Sequence, residues 1–141
     1  MSGRQKRLAL ERGWKVTAVM RAEEGAAYVS VDFVGRGNRF DVNLFREPVK
    51  KLIRLNTQLV PQRQGLDYAF PRDRPGYRRY ELVYDPGLGT AALSIDGSRV
   101  LSGYRGHTQF QEDWGLVFGV AIYASARGVG AFQLVRFEIN P

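Results

Sequence analysis

Residues Tyr77 to Leu101, YRRYELVYDPGLGTAALSIDGSRVL, constrain the fold of this chain more than any other stretch. Tyr80, Leu82 and Tyr84 alternate with Arg79, Glu81 and Val83, the period of two that suits a pleated strand. Asp85-Pro86-Gly87-Leu88-Gly89 then interrupts it, with proline presetting a turn and glycines available for positive φ. Ala91, Leu93 and Ile95 alternate with smaller and polar residues in the next strand. Asp96-Gly97 follows, a strong hairpin signal because a type I′ turn places both central residues at positive φ. Val100 and Leu101 begin the return strand, so two consecutive hairpins are legible, with Leu82, Leu93 and Ile95 in the core.

The rest of the chain reads in the same way. Trp14, Val16, Ala18 and Met20 alternate with Lys15, Thr17, Val19 and Arg21, with Trp14 a core residue. Glu23-Glu24-Gly25 reads as a turn, and Val29, Val31 and Phe33 as the next strand. Gly35-Arg36-Gly37-Asn38 reads as a further hairpin turn before Phe40, Val42 and Leu44, giving an antiparallel meander. Val49 to Asn56 reads as a strand between neighbouring strands, although its spacing also suits a helical turn. Residues 57–76 hold three prolines and no sustained period, and residues 103–114 form a second loop rich in aromatics. Leu116 to Ile122 alternate again, and FQLVRFEI closes the chain as a strand. Residues 1–12 read as a poorly defined segment, with Leu8-Ala9-Leu10 at most a short edge strand; residues 13–141 read as one domain. About nine short strands without a long helix predict an all-β fold, a two-sheet antiparallel β-sandwich.

Composition narrows the function classes. The chain has 141 residues, enough for one domain with a real core, and no cysteine, which removes disulfides and thiolate metal sites. No apolar run reaches the length of a membrane span, and no signal peptide is visible. Net charge is +7, carried mostly by arginine. That suits an acidic partner such as a polyanionic glycan, and equally a solvated basic surface.

The run YELVYDPGLGTAALSIDGSRVLSGYRG, from Tyr80 to Gly106, resembles the strand–turn–strand signature of concanavalin A-like lectin and glucanase domains, especially their laminin G-like branch. The likeness continues at Gly115-Leu116-Val117-Phe118-Gly119, at Phe132 to Glu138, at Gly13-Trp14 and at Arg39 to Phe45, so it covers most of residues 13–139. The resemblance implies a jelly roll of two curved sheets, often an accessory module beside sialidases or other glycosidases. It implies carbohydrate recognition, or packing against other domains of a parent protein, and a secreted or cell-surface setting. This chain is shorter than many relatives at its N-terminus, which leaves a sheet edge able to pair with another chain.

Candidate sites follow from chemistry. Glucanases resembling this one carry two carboxylates two residues apart on a strand, as E-x-D-x-E, and no such run occurs here; the reading is non-catalytic. His107 is the only histidine, so a zinc site is excluded, and no nucleophile elbow accompanies it. Calcium is open through Asp32, Asp41 and Asn43, which can be neighbours across the meander, though no motif supports it. Two ligand-binding places remain. One is the polar face of the meander, with Arg21, Ser30, Asp32, Arg39, Asp41 and Asn43 on alternate positions; it reads either as a groove or as an ordinary wet face. The other is a loop rim in which Tyr68, Phe70, Tyr77, Tyr104, Phe110 and Trp114 interleave with Arg63, Arg72, Arg74, Arg78 and Arg105. Aromatic faces there can stack on sugar rings and arginines pair with anionic groups, or the rings can plug the ends of the sandwich. The expected ligand-binding set is Asp32, Arg39, Asp41, Asn43, Arg72, Arg74, Tyr77, Tyr104, His107 and Trp114, for carbohydrate and in particular acidic glycans. Nucleic acid has no recognised motif here. The competing reading is a structural or protein-interaction domain without a sugar ligand.

Overall fold

The computed structural model describes residues 1–33, 38–46, 51–57, 65–71, 75–108, 115–121 and 128–141. Helix α1 (Gly3–Arg12) precedes strands β1 (Trp14–Asp32), β2 (Arg39–Arg46), β3 (Lys51–Asn56), β4 (Gly65–Ala69), β5 (Arg78–Asp85), β6 (Thr90–Ile95), β7 (Ser98–Tyr104), β8 (Leu116–Ala121) and β9 (Val129–Ile139). Among the described residues all pairings are antiparallel, as the alternation predicts. The sheet runs β4-β3-β2-β1-β5-β6-β7, with β8 and β9 each paired to β1, and it curves into a near-barrel. Among the described residues, no helix is long and apolar enough to cross a membrane.

The organising element is β1. A strand has two edges, yet β1 has four partners, because its 19 residues divide their service. Trp14 to Met20 pair with β5, and β9 pairs along Trp14 to Glu24. From Gly25 to Asp32 the partners are β2, and β8 over Ala26 to Val31. The turn expected at Glu23-Glu24-Gly25 does not form. The ladder with β9 shifts register between Ala22 and Glu24, and Gly25 adopts φ 72°, so the strand bends without reversing. Hence the Trp14 stretch finds its ladder with β5 and not with the segment that follows it, and the meander begins only at the second half of β1.

The two hairpins at β5–β6–β7 form as predicted. Asp96 and Gly97 take φ 49° and 84°, and Ile95 pairs with Ser98 across them. Tyr80, Leu82, Leu93 and Ile95 are buried. Lys51 to Asn56 is a strand, as expected. Residues 57–76 are not wholly a loop: Gly65–Ala69 pairs with β3, from Leu52 opposite Ala69 to Asn56 opposite Gly65. GLDYA has little strand preference of its own, and pairing to β3 imposes the extended form.

The N-terminal segment is also corrected. Residues 3–12 are helical, and Leu8-Ala9-Leu10 is not a strand. Ser2 Oγ accepts from Gln5 N at 3.2 Å while Gln5 Oε1 accepts from Ser2 N at 2.8 Å, a reciprocal capping box. Gly13, at φ 88°, ends the helix, and its N–H bonds the Ala9 carbonyl at 2.9 Å. Ala9 is buried in the main core, so tertiary contact sustains a helix of weak intrinsic amphipathicity.

Trp14 is fully buried and centres an aromatic cluster with Phe33, Phe40, Tyr84 and Phe137, at centroid distances of 5.5, 5.1, 5.5 and 6.1 Å. Those rings come from β2, β5, β9 and the residue just after β1. Replacing Trp14 by Ala is expected to lower unfolding free energy by about 3–5 kcal/mol, measured by urea titration.

Candidate functional site

Of the predicted polar face, Arg21 on the first half of β1 is half-exposed and pairs with Glu23 at 2.6 Å, while the remainder is neither a groove nor a wet face. Ser30, Asp32, Arg39, Asp41 and Asn43 are all buried, and every residue of β2 from Arg39 to Phe45 is buried on both faces. Alternation of polar and apolar residues normally marks a solvated face; here it marks an ion-paired interior. Register places Asp32 opposite Arg39 and Ser30 opposite Asp41. Arg39 Nε donates to Asp41 Oδ1 at 2.6 Å and lies 3.5 Å from Asp32 Oδ1, while its Nη2 donates to Ser30 Oγ at 2.9 Å. The guanidinium therefore occupies the place between Asp32 and Asp41 that a calcium ion would need, which overturns the calcium reading at these two carboxylates. Asn43, further along β2, reaches the Arg54 carbonyl at 3.5 Å.

The segment after β7 closes the cluster. Arg39 and His107 exchange backbone hydrogen bonds, both at 2.9 Å. Gly106, at φ 68°, allows this approach, since a Cβ there would run into the Arg39 carbonyl. His107 Nε2 lies 2.6 Å from Asp41 Oδ2. Tyr104 Oη donates to the Asn56 carbonyl at 2.7 Å and accepts from Asp41 N at 3.0 Å, joining β7 to β2 and β3. Burial and the neighbouring Asp41 charge push the Tyr104 phenol well above its ordinary pKa. On the helix side, Lys6 is buried, and desolvation lowers its pKa against the opposing charge of Asp32.

Asp41 is the electrostatic centre. Burial disfavours its charge, but the His107 hydrogen bond, the Arg39 charge and hydrogen bond and Ser30 outweigh that, holding the carboxyl below its ordinary 3.8. An ionised Asp41 can only accept, so His107 Nε2 carries the proton between them. Sequence reasoning selected Asp32, Arg39, Asp41, Asn43, Tyr104 and His107 as ligand contacts. The first three join His107 and Tyr104 in one cluster, buried as an inter-strand clasp.

The loop rim resolves differently. Arg72, Arg74 and Trp114 lie outside the described residues, as do Arg63 and Phe110. Tyr77 is partly exposed and packs under Arg21, whose guanidinium carbon stands 5.0 Å from the ring centroid. Tyr68 and Phe70 instead line a cleft of about 510 Å³, facing Arg78, Ile95, Asp96 and Ser98 across the gap between β4 and the β5–β7 hairpins. The two rings meet edge to face at 5.5 Å. Arg78 and Lys51 both lie over Phe70, at 5.3 and 5.2 Å from its centroid, while Tyr68 is half-buried against the core. Arg78 Nη1 donates to Asp96 Oδ2 at 2.9 Å, and Asp96 Oδ1 accepts from Arg79 N at 3.0 Å. Arg78 Nε is buried and makes no hydrogen bond among the described residues.

Asp96 and Ser98 are the cleft residues that sequence reasoning missed. Their hairpin reads as scaffold, and the signal that makes Asp96 a turn residue hides that it lines one cleft with Tyr68 and Phe70. Among the described residues, no group of three or more His, Cys, Asp or Glu is placed to hold a metal ion. No family model matches this chain, and no curated protein matches it in sequence.

The clasp has an acid signature. Because the folded pKa of Asp41 lies below its unfolded value, its contribution to stability is complete above about pH 4 and is lost as pH falls through the depressed pKa. Asp41→Asn is expected to destabilise by about 3–5 kcal/mol near neutrality, by leaving Arg39 buried against one fewer charge, and to flatten the acid limb of the stability–pH curve. Urea midpoints from pH 2 to pH 7 for both proteins measure this, on the window set by that pKa.

Proposed function

We propose that this chain is a non-catalytic, lectin-like carbohydrate-binding module that holds a sugar in the cleft between β4 and the β5–β7 hairpins. The observation that carries the reading is the composition of that cleft: a half-buried tyrosine ring in its lining, with an Arg–Asp pair and a serine. Sugars present apolar ring faces and dense hydroxyls. Tyr68 offers a stacking surface for the first, and Arg78, Asp96 and Ser98 offer donors and acceptors for the second. Arg78 and Lys51 beside Phe70, on a chain of net charge +7, favour acidic glycans bearing carboxylate or sulfate.

The architecture is read as a concanavalin A-like, laminin G-like jelly-roll sandwich. The pairings on the two sides of the β1 bend support it. One group is β9-β1-β5-β6-β7 and the other β8-β1-β2-β3-β4, five strands each with β1 shared. Absence of catalysis is supported by the state of the carboxylates. Asp32 and Asp41 are buried around Arg39, and Asp96, the one carboxylate in the described lining of the cleft, is paired with Arg78. A retaining glycosidase would need two free carboxylates about 5–5.5 Å apart.

An array of neutral, sialylated and sulfated glycans, followed by calorimetry on the best ligand, tests the reading. Binding is expected to fall about tenfold or more in Tyr68→Ala, the loss of one stacking contact. Arg78→Ala is expected to weaken acidic glycans more than neutral ones, and added salt to do the same. Silence across the array at millimolar glycan would reject the carbohydrate reading.

A further inference from the structure

Arg78 enters the cleft with a countercharge already attached. Its Nη1 donates to Asp96 Oδ2 at 2.9 Å, its guanidinium carbon stands 5.3 Å from the Phe70 centroid, and its Nε is buried without a hydrogen bond. A carboxylate or sulfate binds arginine best as a bidentate partner, taking two neighbouring N–H groups of the planar fork. One edge of that fork, Nη1 with Nη2, is held by Asp96 at Nη1, and the other edge ends in the buried Nε. An acid group that enters the cleft therefore meets a negative charge at the donor it needs.

Asp96 is fixed at that position. Its N–H donates to the Arg79 carbonyl at 2.9 Å and its Oδ1 accepts from Arg79 N at 3.0 Å, so backbone and side chain are both tied to β5. It adopts φ 49° at the turn between β6 and β7, with Gly97 at 84° behind it. None of this requires a charge. Asparagine suits positive φ before glycine just as well, and its amide oxygen can accept from Arg79 N. The oxygen that the turn does not use, Oδ2, is the one that holds Arg78.

We infer that Asp96 determines the charge specificity of the cleft: its carboxylate competes with the acid group of a ligand for Arg78. It thereby holds the preference for acidic over neutral glycans below what the arginine alone would give. The inference takes its ligand from the carbohydrate reading, whereas the competition belongs to the Arg78–Asp96 pair itself. A neutral sugar escapes this competition, because a hydroxyl can donate to the aspartate while accepting from the arginine. The pair thus admits a hydroxyl-rich ring and discounts an added charge. Its side chains are 20% and 49% exposed, so the effect is that of a partly solvated ion pair, about two- to fivefold in a binding constant.

Asp96→Asn removes the charge and keeps the turn. Asp96→Gly is the second variant, since Gly-Gly also suits a turn of this type. Far-UV spectra and thermal midpoints confirm that each has folded. Inorganic sulfate is the probe, titrated into the full chain at constant ionic strength against chloride, with the backbone amide resonances of Ile95 to Ser98 as the readout. Both variants are expected to bind sulfate more tightly than the wild type by the factor above, and the gain is expected to disappear when Arg78→Ala is added. Across neutral and acidic glycans, the acidic-to-neutral affinity ratio is expected to rise by the same factor, with neutral ligands bound no more tightly. Sulfate binding that is absent from all three proteins, or equal or weaker in both folded variants, overturns the inference. So does a gain that persists with Arg78→Ala. Tightened sulfate binding beside a silent glycan panel supports the competition and rejects the carbohydrate reading alone.

Discussion

The structure depends on one backbone constraint. Every buried N–H and C=O of a strand needs a partner, and β1 is long enough to need four neighbours for its two edges. The bulged bend near Ala22 to Gly25 lets one strand meet that demand without breaking. It hands the chain from the β5 and β9 ladders to the β2 and β8 ladders, and it brings sequence-distant segments around a common core. Trp14 at one end of β1 and Phe33 just beyond the other are stacked at 5.5 Å, which measures how far the sheet curves between them.

Curvature alone leaves polar side chains inside, and the Arg39 cluster resolves that. Taking Asp32, Arg39 and Asp41 out of water carries a large desolvation cost, and the gain from pairing them offsets it only with good geometry. Here the 2.6 Å contacts from Arg39 and His107 to the two oxygens of Asp41 supply it. An apolar cluster would hold these strands at least as tightly. What the ionic one adds is direction, since Arg39 pairs in one register with Asp32 opposite and Asp41 two residues on. A one-residue slip would bury the charges apart. The clasp thus specifies which segments meet, while the aromatic core supplies most of the binding between them.

Much of the fold was legible locally. Tyr80, Leu82, Leu93 and Ile95 announce their burial by a period of two, and Asp96-Gly97 announces its turn by the residues that tolerate positive φ. The helix over Gly3–Arg12 was missed, because the segment reads as basic and poorly patterned and its capping box, Ser2 with Gln5, went unread. The cleft was half legible. Tyr68, Phe70 and Arg78 stand out as aromatic and arginine residues near each other in a proline-rich stretch, while Asp96 and Ser98 come from a hairpin whose sequence speaks only of its own turn. The buried cluster was legible as a set of residues and misleading as an environment. Nothing local distinguishes Asp41 on a wet strand from Asp41 beneath Arg39 and His107.

The sequence by itself therefore determined most of the strands, the Asp96-Gly97 turn and the residues of the polar face, because these follow from steric and hydrogen-bonding preferences acting over a few residues. Only the tertiary structure decided that β1 bends where its sequence reads as a turn, that GLDYA becomes a strand, that Ser30, Asp32, Arg39, Asp41 and Asn43 are buried, and that Asp96 lines one cleft with Tyr68. Each of these depends on which distant segment supplies the missing hydrogen bonds or the opposing charge. Even the hairpins that define the fold acquire their place at the cleft from β4, a partner that local alternation cannot name.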